Sequence, residues 1–145
     1  ASLRSAVWRE APLASGAYAC PVIEPEAALL LLDRLLVTDP DSLSVCEAYA
    51  RALFDARRYE PAARAFESIL ERAPDDDYAH FGLGMCLWRQ QQFRRARDEL
   101  AMAFVMRPHR ADYAQALAQV KATLRARSLH MLPPDGPVPR PGDTE

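Results

Sequence analysis

Three histidines and three cysteines are the side chains of this chain that could carry chemistry, and their spacing gives them no partners. His80, His109 and His130 are isolated from one another, and Cys20, Cys46 and Cys86 are odd in number and widely spaced. No C-x-x-C, no histidine pair at metal spacing, no G-x-S-x-G turn and no glycine-rich phosphate loop occurs. Thiol exchange, zinc binding, acyl transfer and phosphate cradling each need one of those patterns. The sequence therefore implies no enzyme, no catalytic residue, no cofactor and no metal site. Acidic pairs such as Asp98-Glu99 read as solvated surface.

Two other groupings suit binding. Arg57-Arg58 recurs as Arg94-Arg95, with Arg64 and Arg97 nearby. Such an edge fits an acidic partner or an RNA backbone, but Glu60, Glu67 and Asp98 stand beside it, so solvated charge is the stronger reading and no nucleic acid is expected. Tyr78, Phe81, Met85 and Trp88 follow one another at offsets of 3, 4 and 3. That spacing gathers them on one face of a helix.

These groups need elements to position them. The chain has 145 residues, half of them apolar and about a quarter charged, with a net charge of −2. That is one domain of globular composition. The longest apolar run, Ala27 to Leu32, falls far short of the roughly 20 residues a membrane span needs. The opening Ala-Ser-Leu-Arg-Ser lacks the apolar core of a secretory signal, so a cytoplasmic location is the expectation.

A period of 34 residues runs through the chain. Pro40, Pro74 and Pro108 obey it, as do Ala28, Ala62 and Ala96, and Leu32, Phe66 and Leu100. Leu35, Ile69 and Ala103 follow, then Ala50, Gly84 and Ala118, then Tyr59 and Phe93. Small residues recur where small ones stood, and large apolar ones where large ones stood. Ala50, Gly84 and Ala118 read as points where two helices touch closely, and Gly84 as small for packing and able to accept alanine. The period gives six helices near 26–37, 43–56, 60–73, 77–91, 94–107 and 111–127. On them Cys46 and Cys86 face inward as small apolar groups, and His80 takes a core position. The last helix turns Ala114, Leu117, Ala118 and Leu124 inward and Gln115, Gln119, Arg125 and Arg127 outward.

The pattern resembles the tetratricopeptide repeat, whose form is W-x2-L-G-x2-Y, then A-x3-F, then P. One unit reads His80-x2-Leu83-Gly84-x2-Leu87, Ala96-x3-Leu100, Pro108. The other reads Cys46-x2-Tyr49-Ala50-x2-Leu53, Ala62-x3-Phe66, Pro74. The resemblance implies an all-α, right-handed solenoid of antiparallel helix hairpins, with two full repeats and a half repeat at each end. It implies a non-enzymatic adaptor or scaffold that binds a protein or peptide, or alternatively a small chaperone holding one client.

In that family the second face of each first helix lines a concave groove. Here the groove would hold Tyr78, Phe81, Met85 and Trp88 in its middle. Ser44, Glu47, Arg51 and Phe54 would flank it on one side, and Asp112, Gln115, Gln119 and Ala122 on the other. The Lys, Arg and Asn clamp that some members close on a terminal carboxylate is missing, with Gly82, Asp112 and Ala116 in the way. Three fillings remain open: a partner, the chain's own segments (Trp8, Ile23 or Leu129–Leu132), or inter-repeat core.

The ends depart from the period. Residues 9–22 carry Pro12, Gly16 and Pro21, which oppose a helix, yet Trp8, Tyr18 and Ile23 are apolar. Residues 1–24 are expected to be an extended arm covering the leucines of the first helix, with 25–128 as the repeat domain. From Pro133 onward, 13 residues hold five prolines and two glycines, so 129–145 reads as a flexible tail. The expected state is a monomer or weak homodimer.

Overall fold

The structure, a computed structural model, describes residues 24–142. The expected arm lies outside the described residues but for Glu24. The helices are α1 (Pro25–Thr38), α2 (Leu43–Asp55), α3 (Tyr59–Arg72), α4 (Asp77–Arg89), α5 (Phe93–Met106) and α6 (Ala111–Leu129), with no strand among the described residues. The 34-residue period sets their ends as well as their faces. Ser42 and Asp76, one period apart, cap α2 and α4 by accepting from the backbone N–H groups of Val45 and Ala79. Arg57 and Gln91, again one period apart, turn the chain at φ of 61° and 60°. There Arg58 N–H reaches back to Leu53 C=O and Gln92 N–H to Leu87 C=O, each at 2.9 Å. Those bonds satisfy carbonyls a helix end would otherwise leave bare.

The helices form two rows. In the first, α2 touches α4 and α4 touches α6; in the second, α1, α3 and α5 touch only first-row helices. The first row is thus the inner, shorter arc of a curved stack. α4 sits at its centre against both α3 and α5. Ala50, Ala62 and Ala96 have no exposed surface, and Phe66 and Leu100 have next to none. A close-packed seam explains why the period keeps size class. Each full unit also carries an aromatic bridge across its turn. Phe54 meets Tyr59 edge-on at 5.3 Å, and Trp88 meets Phe93 at 5.1 Å.

Four expectations are corrected. Gly84 has no room: a β-carbon there would lie 2.7 Å from Leu100 Cγ, so alanine does not fit without a shift. Ala118 is exposed, because no second-row helix among the described residues covers it. Arg127, read as outward, is buried. It stacks on Phe93 at 4.7 Å and donates to the carbonyls of Pro133 and Gly136 at 2.9 and 2.7 Å. Those bonds hold the start of the segment read as a flexible tail. α6 itself runs through Leu129, and Gly136 N–H donates to Gln91 C=O at 2.8 Å. Asp135 accepts from the backbone N–H and Nε of Arg94, at 3.0 and 2.7 Å. Residues 133–136 are therefore a strap from the end of α6 to the start of α5.

Candidate partner-binding site

The inner face of α2, α4 and α6 carries the residues singled out for binding. Tyr78 and Phe81 are buried. Tyr78 meets Phe66 edge-on at 6.1 Å, and Phe81 stacks on Tyr113 at 4.6 Å. Aromatic contact between neighbouring helices is thus part of what these two rings do. Met85 and Trp88, further along the stripe, are half-buried.

On α2, Glu47 is buried, and Arg51 and Phe54 are half-buried. Arg51 Nε donates to Asp55 Oδ1 at 2.9 Å, and its guanidinium lies 5.8 Å from the Phe54 ring. It also hydrogen-bonds the Tyr78 hydroxyl. Burial, offset in part by Arg51, pushes that hydroxyl up to about 12. On α6, Gln115 and Gln119 are exposed. The face therefore grades from a charged, tightly engaged side on α2, through Met85 and Trp88, to bare amides on α6.

A second buried polar contact locks this face. Tyr113 donates to Asp77 Oδ2 at 2.7 Å across the α4–α6 contact, and Arg107 lies 3.5 Å from the other Asp77 oxygen. Burial and the Asp77 carboxylate together raise the Tyr113 pKa far above that of a free tyrosine. Tyr113 was missed in the sequence because its 34-residue counterparts, Ala79 and Val45, are aliphatic.

Residues with potential chemistry are taken up structurally. His80, read as core, stands at the edge of the seam: Nδ1 faces Glu99 Oε2 at 2.7 Å and Nε2 faces Pro74 C=O at 2.9 Å. Both lie on a shallow cavity of about 460 Å³ between α3 and α5, away from the inner face. Cys86 is buried, and burial pushes its thiol up to about 12, which suppresses the reactive thiolate. Cys46 is half-buried, and Cys20 lies outside the described residues. In the arginine edge, Arg58 pairs with Glu26, Arg64 with Glu60, Arg94 with Asp135, Arg95 with Glu67 and Arg97 with Asp98.

No described helix is long and apolar enough to cross a membrane. No curated protein matches the chain. Among solved structures, MamA from Desulfovibrio magneticus RS-1 superposes with a TM-score of 0.66 at 19% identity, over 74% of this chain and 60% of that one. MamA of strain MSR-1 gives 0.61 at 21%, over 72% and 60%. MamA of strain AMB-1 gives 0.59 at 24%, over 75% and 59%. The chain spans about 60% of the length of these structures, and at such identity the likeness is one of fold. The family signature itself, tetratricopeptide repeat, matches residues 24–80 and 53–120. With more than half its length matched and its helices in two rows, the chain belongs to the tetratricopeptide repeat family, whose fold is that of a protein-interaction module.

Proposed function

We propose that the chain is a non-enzymatic adaptor that holds a protein or peptide partner on the inner face of α2, α4 and α6. The observation that carries this is that Met85 and Trp88 stay half-buried on α4, while Gln119, one period on from Met85, and Gln115, one period on from Phe81, are exposed on α6. An apolar anchor beside polar groups that fix orientation is the usual make-up of a peptide groove. Trp88 braces the turn through Phe93, so Met85 is the cleaner probe. Capture of the partner from native lysate, then titration of Met85→Glu against it, tests the reading. The variant is expected to fold as the parent does and to bind roughly tenfold more weakly or worse. Parent-like affinity would put the site elsewhere.

A small cytoplasmic chaperone would use the same face, and differs in letting its client go. The arginine edge is a poorer site for RNA, since its charges are largely matched by acids. A complex held on that edge would weaken steeply with salt, whereas one held on Met85 would not.

A further inference from the structure

α2, α4 and α6 all end on the same turn, but a different kind of residue closes the last one. Arg58 N–H reaches Leu53 C=O and Gln92 N–H reaches Leu87 C=O, each at 2.9 Å, and Leu132 N–H reaches Arg127 C=O at 2.8 Å. Arg57, Gln91 and Met131 hold positive φ at the matching place in each turn. Arg127 thus stands where Leu53 and Leu87 stand; α6 is the longer helix, so the 34-residue period does not align them. Leu53 and Leu87 are 5% and 1% exposed and belong to the core, and Arg127 is 7% exposed. A leucine stays buried there unaided, whereas a guanidinium stays only while its N–H groups are met. Among the described residues its hydrogen bonds go to two strap carbonyls, Pro133 at 2.9 Å and Gly136 at 2.7 Å, and no carboxylate pairs with it. It covers a ring on which another ring leans. The guanidinium lies 4.7 Å from the Phe93 centroid, and Trp88 meets Phe93 edge-on at 5.1 Å. The strap holds the same turn twice more, through Gly136 N–H on Gln91 C=O and through Asp135 on the Arg94 backbone N–H. The second contact supplies the side-chain cap that Gln92 does not give α5.

We infer that Arg127 makes the seating of Trp88 conditional on the strap, so that residues 133–136 control the aromatic end of the inner face. With the strap docked, the guanidinium is satisfied, covers Phe93 and holds half-buried Trp88 in one setting. With the strap released, two donors lose their acceptors at a buried position, which is costly. The long side chain then swings its charged head to water. That uncovers Phe93 and leaves Trp88 without its brace. Docked and released straps are the two arrangements of the device. By linkage, a ligand that needs Trp88 held favours the docked strap, and the docked strap favours that ligand. This control rests on the proposed role of the inner face, but Trp88 can be followed with no partner present. It therefore fails or stands separately from the Met85 titration.

Trp8→Phe in the full chain leaves Trp88 as its sole tryptophan, and acrylamide quenching of the fluorescence then reports how Trp88 is held. In this background Asp135→Ala is expected to raise quenching roughly twofold or more, as a local opening does. Arg127→Leu is expected to quench as the parent does, because leucine covers Phe93 without help from the strap. Adding Asp135→Ala to Arg127→Leu is expected to change nothing further. Hydrogen-exchange protection of the backbone amide at position 136, which donates to Gln91, shows whether the strap has left. Where Asp135→Ala does not release it or lowers the helix content, Gly136→Val serves in its place, since a φ of 83° strains a β-branched residue. A released strap with parent-like quenching overturns the inference. Arg127→Leu that quenches as strongly as Asp135→Ala overturns it too. A response to Asp135→Ala that persists in the Arg127→Leu background overturns it in favour of a path through Gln91 and Arg94.

Discussion

Gly84 and Leu100 meet so closely that no side chain fits between them: a β-carbon on Gly84 would lie 2.7 Å from Leu100 Cγ and 2.9 Å from Cδ2. Leu100 is fully packed and has nowhere to swing. Alanine would gain about 1 kcal/mol in helix propensity, but overpacking costs about 1–3 kcal/mol. Gly84→Ala is expected to lower the melting temperature, and Gly84→Leu to lower it much further. An alanine variant that melts at or above the parent would show that Leu100 can move.

Gly82 makes the sharper case. Its β-carbon would run into Cζ of Phe66, at the edge of a fully buried ring. Gly82→Ala is expected to destabilise by more than Gly84→Ala, measured side by side in denaturant. Equal midpoints would mean that the Phe66 ring tilts away at no cost.

Arg57 holds φ at 61° without being glycine. Left-handed backbone strains an L side chain by about 1 kcal/mol, and Arg57 is exposed. Arg57→Gly is expected to stabilise by about 0.5–1 kcal/mol despite the added freedom of the unfolded chain. A lower melting temperature would contradict this.

The strap responds to acid. The backbone N–H and guanidinium of Arg94 hold the Asp135 carboxyl below its ordinary value. A folded pKa below the unfolded one means the contact stabilises at pH above the unfolded value, near ~3.9. That stability is lost as pH falls through the lowered folded value. Hydrogen-exchange protection at Gln91 to Arg94, corrected for the intrinsic pH dependence of amide exchange, is expected to fall over that range, and Asp135→Asn to lower it at neutral pH. Exchange that ignores both would detach the strap from Asp135.

Tyr113→Phe removes the hydroxyl from Asp77 and leaves a buried carboxylate with only the longer Arg107 contact. The expected loss is about 1–3 kcal/mol, seen as a lower denaturant midpoint. A neutral result would mean that water takes the place of the hydroxyl.

The helices were legible in the sequence to within two residues because one repeat distance governs their caps, turns and seams together. The structure shows Ser42 and Asp76 as caps and Arg57 and Gln91 as turn residues, each pair one period apart. Ala118 keeps its size class yet is exposed among the described residues, since a period fixes the residue type and not the neighbour that covers it. Tyr78 and Phe81 fall on a second apolar face that a helical wheel finds, but the wheel does not supply the neighbours, Phe66 and Tyr113, that cover them. The strap was hidden for another reason. Proline and glycine content reports on local stiffness, while Arg127, Asp135 and Arg94 find one another only after α6 has packed. His80 was placed in the core by register, yet a polar ring there moves to the edge, where both nitrogens meet acceptors.

The strap alters how such an array comes apart. In a linear stack each unit leans only on its neighbours, so the terminal helix frays first and independently. Here α6 cannot peel away without also releasing Asp135 from the start of α5 and Gly136 from Gln91. The C-terminal end is latched one helix further in, and opening there becomes an event shared by two units.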